Sequence, residues 1–179
     1  MFELKKKKRE TKGLIYGYNQ LYKFNSQNRS TSGAVPAPSL VVDAHGNVFG
    51  TTSAGGASDS GTIFEVTPAR TESVLYNFTG GADGSHPYGG LIQDSQGNFY
   101  GTTSQGGTGS GCGLAGCGVV FKFAADGAET VLYSFNGGAD GSGPLAGLLL
   151  DGQGNLYGTT AGGGSPPPES TGFCLHNGD

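Results

Sequence analysis

The sequence predicts an all-β chain, a β-propeller-like array of four-stranded antiparallel blades with about three blades' worth of strands. Three observations carry this. Glycine fills 36 of 179 positions, about one in five against a usual ~7%, and each glycine inside a helix costs roughly 1 kcal/mol relative to alanine. A ten-residue phrase, Asp-x-x-Gly-Asn-x-aromatic-Gly-Thr-Thr, occurs at 43–52, 94–103 and 151–160, in steps of 51 and 57 residues. Short runs of β-branched and aromatic residues, bounded by Gly, Asn, Asp and Ser, separate the copies.

The elements follow in chain order. Met1-Phe2-Glu3-Leu4 matches Phe64-Glu65-Val66, and Leu21-Tyr22-Lys23-Phe24 matches Leu75–Phe78 and Leu132–Phe135. Residues 1–24 are therefore the last two strands of a blade joined by a basic loop. Residues 25–78 form a first repeat and 79–135 a second. In the second, strands are predicted at Gly90–Asp94, Asn98–Thr103, Val119–Phe123 and Thr130–Phe135. Residues 136–162 hold a partial third repeat. Residues 163–179 are a divergent Pro-rich tail in which the pattern is lost.

Aspartate accepts backbone amides and glycine supplies a positive φ in tight hairpins. Asp43, Gly46 and Asn47 are thus read as a structural turn, as are Asp94, Gly97 and Asn98, and Asp151, Gly154 and Asn155. Strict alternation puts Tyr76 and Phe78 on one face, with Leu75 and Asn77 on the other. Phe49, Tyr100 and Tyr157 share one repeat position and are expected to supply much of the core between repeats. Gly50, Gly101 and Gly158 sit inside the second strand, where close packing or a bulge is the expected reason.

The repeat step lengthens at one place. Thr52 to Phe64 is 12 residues and Thr103 to Phe121 is 18. The six extra residues lie in the glycine-rich loop holding Cys112 and Cys117, a surface insertion whose composition reads as mobile over Gly106–Gly118.

Charge excludes one class of partner. Residues 1–29 carry +6 and residues 30–179 carry −10. A groove for nucleic acid needs Lys and Arg against the phosphates, so no nucleic-acid partner is expected. The run Lys5–Arg9 reads as a solvated loop. No apolar stretch reaches the ~18 residues of a membrane span, and none of 7–15 residues follows the basic head as a secretory signal requires.

The chemical motifs weigh lightly. Gly111, Gly113 and Gly116 spell G-x-G-x-x-G, but a strand follows them where a dinucleotide site needs a helix, so no cofactor is expected. Asp83 and Asp140 recur at one position, as do Asp43, Asp94 and Asp151. Each motif offers one carboxylate where Ca²⁺ wants six or more oxygens, which favours turn stabilisation. His45, His86 and His176 fall at unlike repeat positions, and Asn28 and Asn77 open weak glycosylation texts. No Gly-x-Ser-x-Gly elbow occurs.

These phrases resemble the Gloeobacter/Verrucomicrobia (GloVer) tandem repeat. Its pattern runs L-Y-x-F-x-G-G-x-D-G, P-x-x-x-L, D-x-x-G-N-L-Y-G-T-T and G-x-V-F-x-L. It covers about residues 21–160 here, with a partial match at 1–4. The resemblance implies an exported or surface-anchored bacterial protein of propeller-like architecture and implies no catalytic residue. In an exported chain Cys112 and Cys117 read as a disulfide closing the insertion, against a metal site lacking two further ligands or reduced thiols. Cys174 is left over. The expected function is a non-catalytic scaffold that binds a protein or polysaccharide partner; a carbohydrate-active hydrolase or lyase is the alternative.

The chain lacks the export signal and anchor of such arrays and holds fewer repeats, which reads as a fragment of a longer array. A propeller closes with typically about 4–8 blades. The terminal halves either pair into one composite blade, or two chains form a six-blade ring, or the isolated chain is marginal, with exposed edges prone to self-association. The last is the reading favoured for the isolated polypeptide.

Overall fold

A computed structural model describes residues 2–6, 16–24, 32–164 and 172–175. Lys7–Arg9, Asn28, His176 and the proline run 166–168 lie outside the described residues. The chain is all-β, arranged as successive antiparallel sheets. A hairpin of β1 (Phe2–Lys6) and β2 (Tyr16–Gln20) comes first.

Sheet I holds β3 (Gly33–Pro36), β4 (Val41–Val42), β5 (Val48–Gly55), β6 (Thr62–Val66) and β7 (Glu72–Asn77). Sheet II holds β8 (Ile92–Gln93), β9 (Phe99–Thr103), β10 (Val119–Phe123) and β11 (Glu129–Ser134). Sheet III holds β12 (Leu149–Leu150), β13 (Leu156–Thr159) and β14 (Gly172–Leu175). Sheet II has the order β8-β9-β10-β11, the four-stranded repeat that the sequence predicts.

The first strand of each repeat is split in two. In sheet I, β3 pairs with one half of β5 and β4 with the other. In sheets II and III the first half shrinks to the single bridges Ser85–Gln105 and Ser142–Gly162. A Pro-containing strap (37–40 after Pro36 ends β3, then 87–91 and 144–148) separates the halves, and proline brings no N–H to continue the ladder.

Gly50 and Gly101 have a packing reason and no bulge. Gly50 lies opposite Phe64, and Gly101 opposite Phe121. A Cβ on Gly101 would sit 2.6 Å from Phe121 Cζ, and one on Gly50 2.7 Å from Phe64 Cζ. The ring covers the glycine, and only glycine leaves room for it. The same rings join neighbouring repeats: Phe64 lies 4.8 Å from Phe24, and Phe121 lies 5.1 Å from Phe78, both edge-on. Phe64, Phe78, Phe121 and Phe135 are fully buried.

Three expectations change. The aromatic position of the second strand is not uniformly core: Phe49 is half-buried, Tyr100 is 4% exposed and Tyr157 is 37% exposed. The third-strand and fourth-strand phenylalanines hold the centre instead. Strict alternation fails at Leu75 and Leu132. Ile63 pairs Tyr76 while Phe64 pairs Val74, leaving Leu75 as the extra residue of a β-bulge, and Leu132 repeats this in sheet II. Leu75 and Tyr76 consequently pack on the same cluster, with Tyr76 edge-on to Phe78 at 5.2 Å.

The tail also keeps part of the pattern. In it β14 pairs β13 with Gly158 opposite Phe173, the same Gly–Phe register as in sheets I and II. At the head, Phe2 pairs Gln20 as Phe64 pairs Val74, so the β1–β2 hairpin holds the third-strand and fourth-strand register of a repeat.

The ring-over-glycine contact predicts a specific cost. Gly101→Ala is expected to lower unfolding stability by about 1–3 kcal/mol through overpacking. Phe121→Leu in the same chain should recover part of that loss, and a urea double-mutant cycle reads the coupling.

Candidate functional site: the inner-strand straps

The straps of successive repeats lie side by side. A Cβ on Gly90 would fall 2.1 Å from Ser39 Cβ, and one on Gly89 would fall 2.6 Å from the Ala146 carbonyl oxygen. They also stitch each repeat to the one before. Thr51 Oγ1 donates to Gly89 O (3.1 Å) and Thr102 Oγ1 to Ala146 O (3.1 Å). His86 N–H donates to Ser60 O and Gly143 N–H to Cys117 O, both at 2.8 Å. The rings of Pro87 and Pro144 lie close over Gly61 and Gly118.

The stitch fixes an unusual backbone. Val35, His86 and Gly143 share one repeat position and have φ of 58°, 55° and 60°. A β-branched residue at positive φ is strained and persists only where its surroundings over-determine it. Carbonyl anchors supply that here: Ser53 Oγ donates to Val35 O at 3.3 Å, and Ser104 donates to His86 O through both Oγ (3.1 Å) and N–H (3.2 Å).

On this frame the side chains vary and are exposed. Val35 is 61% exposed, Tyr88 45% and Leu145 51%. His86 is half-buried, and its Nδ1 is buried with no hydrogen-bond partner among the described residues.

The recurring Asp residues are absorbed by structure. Asp94 Oδ1 accepts the Gln96 and Asn98 amides at 2.8 and 2.9 Å, and Oδ2 accepts Asn98 Nδ2 (2.8 Å) and Tyr100 OH (3.0 Å). Asp151 repeats this set with Gln153, Asn155 and Tyr157. Asp43 accepts His45 and Asn47, and Phe49 has no hydroxyl to add. The bond from the Asn155 side chain leads in holding Asp151 down at about 2. Partial burial pushes Asp94 upward, but its four donors outweigh it and the carboxyl stays below the usual range. Gly46, Gly97 and Gly154 turn the hairpin at φ of 84°, 87° and 91°.

Asp83 and Asp140 cap the Phe-x-Gly-Gly loops. Asp83 accepts Thr79 N–H (2.8 Å) and the Thr79 hydroxyl, and Asp140 accepts Asn136 N–H (2.6 Å) and the Tyr133 hydroxyl. Tyr76 OH lies 3.1 Å from Asp83 Oδ2 and 3.5 Å from Glu129 Oε2, in the seam between sheets I and II. One phenolic proton serves one carboxylate. Burial, and then the Asp83 charge, push Glu129 up to about 7. Glu72 holds the equivalent place in sheet I and is also raised by burial. Both have an Oε1 that is buried without a partner among the described residues.

Cys112 and Cys117 are joined by a disulfide, with Cα atoms 5.3 Å apart. Between them Gly113–Ala115 makes one 3-10 turn with Leu114 fully exposed at its tip. The loop is closed on itself by Gly106 N–H to Ala115 O and Gly118 N–H to Gly106 O, and tied to its surroundings by Gly107 N–H to Gly81 O, Thr108 N–H to Ser134 Oγ and Gly111 N–H to Asn136 O. The glycine-rich text of Gly111, Gly113 and Gly116 therefore forms a tied-down loop and no phosphate cradle before a helix. Among the described residues no group of three His, Cys, Asp or Glu could hold a metal ion, and no helix is long and apolar enough to cross a membrane.

The strap slot and the seam carboxylate were both missed by sequence reasoning. Equivalent positions occupied by Val, His and Gly carry no shared chemical signal. Glu72 and Glu129 do recur at one repeat position, which is the clue that was there to be used.

Two outcomes follow. The raised folded-state value of Glu129 gives stability that is fully present below its ordinary value of 4.5 and lost as pH rises through about 7. Stability should thus fall between pH 5 and pH 8, and Glu129→Gln should flatten that slope. The effect expected is about 1–2 kcal/mol after solvent screening, read from urea midpoints. Asp94→Ala removes four accepted hydrogen bonds and should cost about 2–3 kcal/mol, read from thermal melts.

The model of the Gloeobacter/Verrucomicrobia repeat matches residues 5–176. No curated protein shows significant similarity to the sequence. The match spans all three sheets, and the turns, the Gly–Phe pairs and the straps occupy the repeated positions within it: the chain belongs to the Gloeobacter/Verrucomicrobia repeat family.

Proposed function

We propose that the chain is a non-catalytic scaffold of an exported or surface protein that binds a protein or glycan partner through its inner-strand straps. The observation that carries this is the contrast at the straps. Their backbone is held in one conformation, while the side chains differ from repeat to repeat: Ala37, Tyr88 and Leu145 share one strap position, the last two exposed, and Val35 is exposed just before the first strap. Residues that vary on a rigid frame are where recognition is built. An exposed tyrosine beside aliphatic groups supplies the apolar anchor with a polar tip that both sugars and protein surfaces engage.

Export is supported by the Cys112–Cys117 disulfide, since such bonds persist in oxidising compartments. The acidic body supports a partner other than nucleic acid. The hydrolase alternative draws on one observation, the Asp83–Tyr76–Glu129 group with Glu129 raised to about 7. Weighing against it, Tyr133 donates to Asp140 in the same way one repeat later. A repeated arrangement is what a seam needs, whereas a catalytic pair is set up once.

The test is a glycan array and a surface-protein pull-down with the chain and its Tyr88→Ala variant. A ligand retained by the parent and lost at least tenfold by Tyr88→Ala, with an unchanged melting temperature, supports the reading. Equal binding by the variant counts against the straps. Release of reducing sugar from a bound glycan, abolished by Glu129→Gln, would replace the scaffold reading with the hydrolase.

A further inference from the structure

Sheets I and II do not close fully against each other at their hairpin-turn end, where a cavity of about 410 Å³ remains between them. Its floor is apolar. Phe99 and Phe123 are buried and pack in one cluster with the half-buried Phe49 and Leu75, and the Phe49 and Phe99 rings meet at 4.7 Å. The sheet I wall carries Glu65 beside Phe49, because the two residues pair across strands. The sheet II wall carries Gln93, whose Nε2 donates to Gly97 O at 3.5 Å and whose Oε1 remains as an acceptor. The rim is the exposed turn at 125–127, with Asp126 at its centre.

Charge in this cavity is of one sign. Glu65 is half-buried, and among the described residues its carboxylate has no ion pair and accepts no hydrogen bond. Asp126 accepts the Ala128 amide through Oδ1 at 3.1 Å, and its Oδ2 takes no hydrogen bond from the described residues. No basic side chain lines the space. Lys122 alternates with Phe121 and Phe123 and so faces sheet III, and Arg70 donates to Asn19 of the head hairpin at 2.8 Å. The arrangement is also particular to this seam. Between sheets II and III the same repeat positions hold Tyr100 for Phe49, Lys122 for Glu65 and Leu150 for Gln93. There the Tyr100 ring is buried with its hydroxyl on Asp94 at 3.0 Å. A seam is thus built without the carboxylate and the amide, so packing between repeats does not account for them.

We infer that this cavity takes an arginine side chain of a protein partner. A guanidinium is planar and weakly hydrated, so it can lie against the Phe49 ring while its fork meets both oxygens of Glu65. Gln93 Oε1 and Asp126 Oδ2 accept the remaining N–H groups. The alkyl stem packs on Leu75 and leaves over the small, exposed rim, which suits a head group carried on a longer chain. A lysine ammonium brings the charge but neither stacks flat nor forks onto a carboxylate. No strap residue lines the cavity, so the inference is independent of what the straps bind.

The test is an NMR titration of the isotope-labelled full chain with an end-capped Gly-Arg-Gly peptide. Saturable shifts at Phe49, Phe99 and Gln93 are expected, with the millimolar affinity of a single anchored side chain. The citrulline counterpart has the same shape without the charge and should bind about tenfold more weakly, and the lysine counterpart about threefold more weakly. Glu65→Lys installs the residue type that sheet II carries at Lys122, so the fold should keep its melting temperature while the shifts are lost. Glu65→Gln, the conservative variant, should weaken binding about tenfold. Shifts that map elsewhere, equal binding of the citrulline or lysine peptide, or undiminished binding by either Glu65 variant each overturn the inference. Tighter binding of methylguanidinium than of the peptide assigns the cavity to a small molecule and overturns the partner named.

Discussion

A phenylalanine ring laid over a glycine is the constraint on which the rest of the structure depends. Phe64 covers Gly50 and Phe121 covers Gly101, at distances that leave no space for a Cβ. The glycine weakens its own strand, since it adds no side chain and costs conformational entropy. The cross-strand ring offsets this by filling the gap. Because the same ring also meets Phe24 or Phe78 of the preceding repeat, one side chain ties together two strands and two repeats. The residues after the glycine then fall into fixed roles. Thr51 and Thr102 reach forward to the next strap, while Thr52 and Thr103 turn inward onto Gly33 and Gly84. The Gly-Thr-Thr phrase is thus a packing instruction read three ways.

Electrostatics in this acidic body are handled locally. The hairpin aspartates are surrounded by donors and ionise readily. The seam glutamate is not, and keeps its proton to a higher pH. The two kinds of carboxylate pull stability in opposite directions. The aspartate contribution fades in strong acid and the glutamate contribution fades as pH rises from about 5 through about 7, so together these groups favour mild acid.

Much of this was legible in the sequence because turns and strands declare themselves by residue type. Asp-x-x-Gly-Asn names its own hydrogen bonds, and sheet II follows the predicted strands within one or two residues. The bulge at Leu75 was not legible: it is a matter of backbone register, and its leucine looks like any strand residue. Nor was the positive φ at Val35 and His86, because longer-range hydrogen bonds impose it on residues that would not choose it. The third strand of the tail hides behind changed residues, although Phe173 follows Thr160 by 13 positions where Phe64 follows Thr52 by 12. The grading from Tyr100 to Tyr157 depends on what stands beside each sheet, which no single repeat can encode.

The strap slot separates two properties that are usually bound together. Its backbone conformation comes from neighbours on both sides, so valine, histidine and glycine adopt the same φ there. The slot therefore admits different side chains by absorbing the strain that each brings, through the hydrogen bonds that anchor its carbonyl. Surface chemistry there can be rewritten by point substitution, with the difference in strain drawn from the stability of the whole fold.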